Sequence, residues 1–159
     1  MPQISSALLL RIMRWALLAS ASGLPEEKCG ILRGRGERIM RADAAANVSP
    51  WPGRKFEIDP AALIAAYRTA RRPNALAVLG FFHTHPSDDV MPSVTDAACA
   101  APDGKLWLIA TMREARLFRA VSDGAIHGRF DPVEFDLVVG KRAPERVGGL
   151  FARKQRPKE

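Results

Sequence analysis

Leu76-Ala77-Val78-Leu79-Gly80-Phe81-Phe82-His83-Thr84-His85-Pro86 is an almost unbroken apolar run that ends in two histidines two residues apart. Apolar residues without alternation predict a strand buried on both faces, and Pro86 marks its end. Side chains alternate along an extended strand, so His83 and His85 point to one side at the strand's end. That spacing suits a metal, although a His-x-His pair also occurs as two exposed polar residues.

On the C-terminal side, the polar stretch Ser87 to Pro92 reads as a loop. Ser93-x-x-Asp96 then has the form of a capping box opening a short Ala-rich helix that ends near Pro102. The loop is long enough to return the Asp96 carboxylate to the strand end. Two imidazoles and one carboxylate would leave a fourth tetrahedral position for water, the open arrangement of a catalytic zinc. Lys105 to Thr111, Ala115 to Val121 and Ala125 to Phe130 read as three antiparallel strands, with Asp123-Gly124 as a turn signal.

On the N-terminal side, Asp59-Pro60 opens a helix with Leu63, Ile64, Tyr67 and Ala70 as its expected buried stripe, and Pro73 ends it. Asn47 to Arg54 is loop. Cys29 to Arg33 and Glu37 to Ala45 read as a hairpin turning at Gly34-Arg35-Gly36. Leu8, Ile12, Trp15 and Ala19 recur at helical spacing, with Ser5 or Ser6 as cap and Gly23 as stop. Arg11 and Arg14 interrupt that segment, so neither a signal peptide nor a spanning helix of about 20 apolar residues fits. Interspersed helices and strands without βαβ alternation predict an α+β domain with a mixed, mostly antiparallel sheet.

The chain has 159 residues, 47% hydrophobic and 26% charged, which fits one globular domain. Its net charge of +7 is concentrated: seven basic and two acidic residues lie in 141–159. The expected organisation is a catalytic domain over 1–140 and a basic tail over 141–159, so the charge points away from a nucleic-acid-binding face. Gly148-Gly149 in that tail reads as linker. Cys29 and Cys99 are too few for a disulfide scaffold; they read as small buried residues in a reducing cytoplasm. His127 reads as a surface or packing residue on a strand.

Hydrolysis at an open zinc needs a group that takes a proton from water and passes it to the leaving atom. Glu26 and Glu27, just before Cys29-Gly30, are the carboxylates able to face the histidine strand, and either could serve. Taken together, Pro25-x-Glu27-x-Cys29-Gly30, His83-Thr84-His85-Pro86 and Ser93-x-x-Asp96 resemble the signature of the JAMM/MPN+ zinc metalloproteases. Phe56-Glu57-Ile58-Asp59-Pro60 and Leu79-Gly80-Phe81-Phe82 are similar to the family's supporting segments, and the resemblance spans roughly residues 4 to 130.

The resemblance implies an MPN/JAMM-like α+β domain, layered as in cytidine deaminases, with helices flanking the sheet. It implies His83, His85 and Asp96 as zinc ligands, Glu27 as general base in preference to Glu26, and Ser93 as hydroxyl donor to the oxyanion. It treats metal ligation as the role of Asp96 over capping. The implied reaction is hydrolysis of a peptide or isopeptide bond by a zinc-activated water, after the C-terminal diglycine of a ubiquitin-like or sulfur-carrier protein. Two other classes remain: a scaffold of this fold without catalysis, against which the ligands argue, and a RadC-like protein of DNA-associated context, whose pattern shares His-x-His-Pro and Ser-x-x-Asp. Neither membrane nor nucleic acid is an expected partner, and oligomeric state is not readable.

Overall fold

A computed structural model describes residues 1–139; the basic segment 141–159, with Gly148-Gly149, lies outside the described residues. Elements follow as β1 (Gln3–Ser5), α1 (Ser6–Ala21), β2 (Cys29–Arg35), β3 (Arg38–Ala45), α2 (Pro60–Ala70), β4 (Ala77–Thr84), α3 (Val94–Cys99), β5 (Leu106–Ala110), β6 (Ala115–Gly124), β7 (Gly128–Val133) and β8 (Asp136–Val138). The strands form one mixed sheet in the order β7-β6-β5-β4-β2-β3-β1-β8. The histidine-bearing β4 sits inside it, antiparallel to β2 and parallel to β5. None of the helices among the described residues is long and apolar enough to cross a membrane.

Two apolar layers clamp the sheet. On one face α1 buries Leu8, Leu9, Ile12, Ala16 and Ala19, packing Leu8, Leu9 and Ile12 against Leu32, Phe82, Leu106 and Leu108. Each such Leu or Ile contributes about 1.5–3 kcal/mol on burial, which a 16-residue helix needs because alone it would be marginal. Ser5 caps α1 by accepting from the Leu8 amide at 3.1 Å, and Gly23 beyond its end takes φ +74°. The other face carries α2 over Ile31 and Val78, and α3 over Trp107, Ile109 and Phe130. A register shift between Leu32 and Arg33, opposite Leu79, lets Val78 and Phe81 share this second face while Leu79 and Phe82 pack on the first.

Five expectations are corrected. The β2–β3 turn lies at Gly36-Glu37, because Gly34 and Arg35 still pair with Ile39 and Arg38. Helix α2 buries Ala66 and leaves Ile64 55% and Tyr67 38% exposed: small side chains let it lie close to the sheet, which turns the large ones outward. Asp123-Gly124 ends β6 rather than turning; Gly124 pairs with Gly128, and the turn is Ala125 to His127. His127 is therefore in a turn and not on a strand. Cys99 is exposed, whereas Cys29 is buried.

Gly80 shows how tightly the centre is built. A Cβ there would lie 1.8 Å from the Leu106 carbonyl oxygen on β5, a backbone atom that cannot move without breaking the β4–β5 ladder. Gly80→Ala is expected to cost at least about 3 kcal/mol, read as a drop in thermal midpoint or as insoluble expression. A wild-type melting curve for this variant would contradict the packing.

Candidate metal centre

The histidines, Asp96 and Glu27 come from three distant stretches joined by sheet register. Cys29 on β2 pairs with His83 on β4. Just before it the strands are tied twice: the Thr84 amide donates to Lys28 O at 2.8 Å, and the Lys28 amide donates to Thr84 Oγ1 at 2.9 Å. This lock sets Glu27 at the end of the histidine strand. Asp96 arrives in the first turn of α3, where the capping box is complete: Asp96 N donates to Ser93 Oγ at 3.0 Å and Ser93 N to Asp96 Oδ2 at 2.7 Å. Asp96 thus caps the helix while also facing the histidines, so the capping role that the sequence reading set below metal ligation is present.

His83 Nε2 and His85 Nε2 are 3.0 Å apart. Asp96 Oδ1 lies 3.2 Å from His83 Nε2, and Asp96 Oδ2 lies 3.4 Å from His85 Nε2. Ligands held at zinc's usual 2.0–2.1 Å in a tetrahedron stand about 3.3 Å from one another; the imidazole pair and each imidazole–carboxylate contact fall near that spacing, with a different Asp96 oxygen facing each ring. His85 Nδ1 meets Asp89 O at 2.7 Å; a carbonyl only accepts, so Nδ1 carries the proton and Nε2 keeps its lone pair for a metal. All three residues are buried. Phe56 stacks on His83 with centroids 4.4 Å apart, and Trp107 meets it edge-on at 5.9 Å, which fixes the ring plane. The chemistry of the donor set and its spacing fit a divalent cation.

Glu27 is only 5% exposed, and its Oε2 is buried without a hydrogen-bond partner. Burial drives its pKa up to about 7; His85 counteracts this and the Asp96 charge adds to it. Burial would raise Asp96 too, but hydrogen bonds from His83 and His85 hold it well below the usual carboxylate range. Burial pushes His83 down. It acts the same way on His85, yet the bonds to Asp96 and Asp89 prevail and leave His85 raised. Glu26 differs: it is part-exposed and ion-paired with Lys28. A groove of about 580 Å³ joins Glu27, His85, Ser93, Met91, Arg54 and His127, giving a chain access to these groups. A larger hollow of about 690 Å³ lies between α1 and β3 and contains none of them.

The raised Glu27 pKa predicts a pH signature in the metal-free protein. The folded state binds the Glu27 proton more tightly than the unfolded chain does. This contribution to stability is full below pH 4.5 and is lost as pH rises through about 7, amounting to about 3 kcal/mol. Metal-stripped Glu27→Gln should lack that decline and be the more stable protein at pH 8. Parallel stability–pH curves for the two proteins would refute the assignment.

Several contacts around the candidate site have no signature in the sequence. Asn47 Nδ2 donates to Glu27 O at 2.9 Å and to Lys55 O at 3.1 Å, while its Oδ1 accepts from the Ser49 and Glu57 amides. One loop side chain therefore holds both the Glu27 backbone and the segment carrying Phe56. Thr84 and His127 are the others: Thr84 lies inside the histidine motif without announcing its strand-locking bond, and His127 enters the groove from a distant hairpin.

Comparisons with known proteins bear on the family and the fold. The family model described as prokaryotic homologs of the JAB domain matches residues 5–121. A desampylase of Haloferax volcanii is 32% identical over 100 residues, 62% of this chain and 71% of that protein. A probable TtuB-protein conjugate cleaving protease of Thermus thermophilus is 35% identical over 72 residues, 45% of this chain and 47% of that protein. A solution structure from Desulfitobacterium hafniense matches with a TM-score of 0.71 at 26% identity, over 89% of this chain and 96% of that one. The chain belongs to the prokaryotic homologs of the JAB domain, within the JAMM/MPN+ group, and is a hydrolase of the JAMM type.

Proposed function

We propose that this protein is a zinc-dependent peptidase or isopeptidase that hydrolyses the bond after the C-terminal diglycine of a ubiquitin-like, sulfur-carrier type protein in the cytoplasm. The observation that carries the reading is two imidazole nitrogens 3.0 Å apart, each within 3.4 Å of an Asp96 carboxylate oxygen, beside a buried carboxylate whose pKa is pushed up to about 7. The names of the relatives, a desampylase and a protease cleaving TtuB–protein conjugates, support removal of a protein modifier. Residues 1–140 are assigned to catalysis, with 141–159 outside the catalytic domain.

His83, His85 and Asp96 would hold the zinc, which when bound would supply Lewis acidity and bring a water's pKa to about 7. Glu27 accepts the proton that the attacking water loses and delivers it to the leaving nitrogen as the C–N bond breaks. The products are a carboxylate ending in glycine and a free amine. Ser93 Oγ accepts from the Asp96 amide, which leaves its own hydrogen free to donate to the oxyanion. Cys29 takes no part: burial pushes its thiol up to about 12, far from a nucleophilic thiolate.

The test uses the zinc-loaded chain with two substrates, a carrier protein fused through its diglycine to a reporter and a lysine-linked conjugate of the same carrier. Mass spectrometry should find carrier ending in Gly-Gly, chelation should abolish the reaction, and zinc should restore it. Intact substrates, or cleavage at another bond, would overturn the reading.

A further inference from the structure

The tip of the β6–β7 hairpin is folded in an unusual way. Asp123 has φ +56° and His127 φ +52°, both non-glycine residues in the left-handed region, and Gly128 follows at +66°. A register shift between Ala120 and Gly124 bends the hairpin here, and a Cβ at Gly124 would lie 2.5 Å from Phe130 N, so the tip is closed tightly on itself. The bend turns His127 into the groove shared by Glu27, His85 and Ser93. Its Nε2 stands 3.0 Å from Pro92 O. A carbonyl oxygen only accepts, so Nε2 donates.

Pro92 is buried and directly precedes Ser93. Much of what steadies residues 86–92 is local: the Asp89 amide donates to Ser87 Oγ, the Met91 amide to Asp89 Oδ1, and Asp89 O meets His85. Among the described residues, the bond from His127 is the sole hydrogen bond reaching 86–92 from outside the segment 83–96. The Arg113–Asp88 ion pair, 3.8 Å long between exposed side chains, is too solvated to fix a backbone. We propose that His127 is a positioning residue: by holding Pro92 O it fixes the backbone from which Ser93 presents its hydroxyl to the reacting carbonyl. The role of Ser93 rests on the proposed function above. The hold on the Pro92–Ser93 backbone does not, and it can be read separately.

His127→Gly removes the donor and relieves the positive φ, so the hairpin keeps its fold. His127→Gln keeps a donor at similar reach. On a diglycine fusion, His127→Gly should lower kcat about tenfold with KM unchanged, and His127→Gln should stay within about threefold of wild type. On a Ser93→Ala background, His127→Gly should have no further effect on kcat, which a merely structural loss would not reproduce. Amide hydrogen exchange supplies a readout that needs no substrate: the Ser93 amide, bonded to Asp96 Oδ2, should exchange at least about tenfold faster in His127→Gly and not in His127→Gln. Unchanged exchange overturns the proposal. So does faster exchange with normal kcat, or a kcat loss that persists in full without the Ser93 hydroxyl. If the wild type cleaves no diglycine fusion, the functional reading fails while the exchange comparison still decides whether His127 holds this backbone.

Discussion

Glu27→Gln is expected to lower kcat by about 10²–10⁴-fold while zinc content stays at that of the wild type. The amide has the size and shape of the carboxylate but cannot take up a proton at neutral pH, so water loses its acceptor and the leaving nitrogen its donor. The fold should not suffer. Glu27 is 5% exposed with one oxygen lacking a partner, and a neutral amide is less costly in that position than a carboxylate at high pH. Elemental analysis and steady-state kinetics on the same preparation check both halves of the expectation. Activity within a few-fold of wild type would remove Glu27 from the base role. Glu26, part-exposed and paired with Lys28, could not replace it without first losing that partner. Loss of zinc would instead make Glu27 a fourth ligand, contrary to the three-donor arrangement.

How Glu27 meets the histidines was legible in the sequence only through the family resemblance. Composition and spacing offered Glu26 and Glu27 equally; what separates them is the alternating burial of the segment leading into β2, which buries one and leaves the other part-exposed. The strand end at His83-Thr84-His85 and the start of α3 at Ser93 could be read directly, because an apolar run and a capping box are local signals. Register is not local. The Cys29–His83 pairing and the Thr84–Lys28 lock depend on which strands become neighbours.

Length and size account for other differences. The three-residue strands β1 and β8 are too short to show periodicity, yet they complete one edge of the sheet. In α2 the larger apolar residues suggested the buried stripe, but close packing selected Ala66 and turned Ile64 outward. His127 carried no signal at all, since its bond to Pro92 depends on a hairpin bend created by backbone conformation.

Asp96 is where helix capping and the proposed metal ligation meet in one side chain, and two substitutions separate them. Asp96→Asn retains an oxygen that can accept from Ser93 N, now 2.7 Å from Asp96 Oδ2, but it loses the negative charge between His83 and His85. Asp96→Ala loses both. Each should weaken zinc binding by more than about a hundredfold, because removing a ligand must exceed the 10–100-fold cost of removing a supporting partner. In the metal-free state they should differ, with Asp96→Ala less stable than Asp96→Asn by about 1 kcal/mol, the usual worth of a helix cap. Zinc titration followed by denaturant unfolding of the stripped proteins measures the two effects. Equal stabilities would mean that the box contributes nothing once Ser93 Oγ still caps the Asp96 amide. Wild-type zinc affinity in Asp96→Asn would mean that the ion rests on the two imidazoles and another donor. Buried Glu27, with its unpartnered Oε2, would be the residue to test as that donor, and the base would have to be sought elsewhere in the groove.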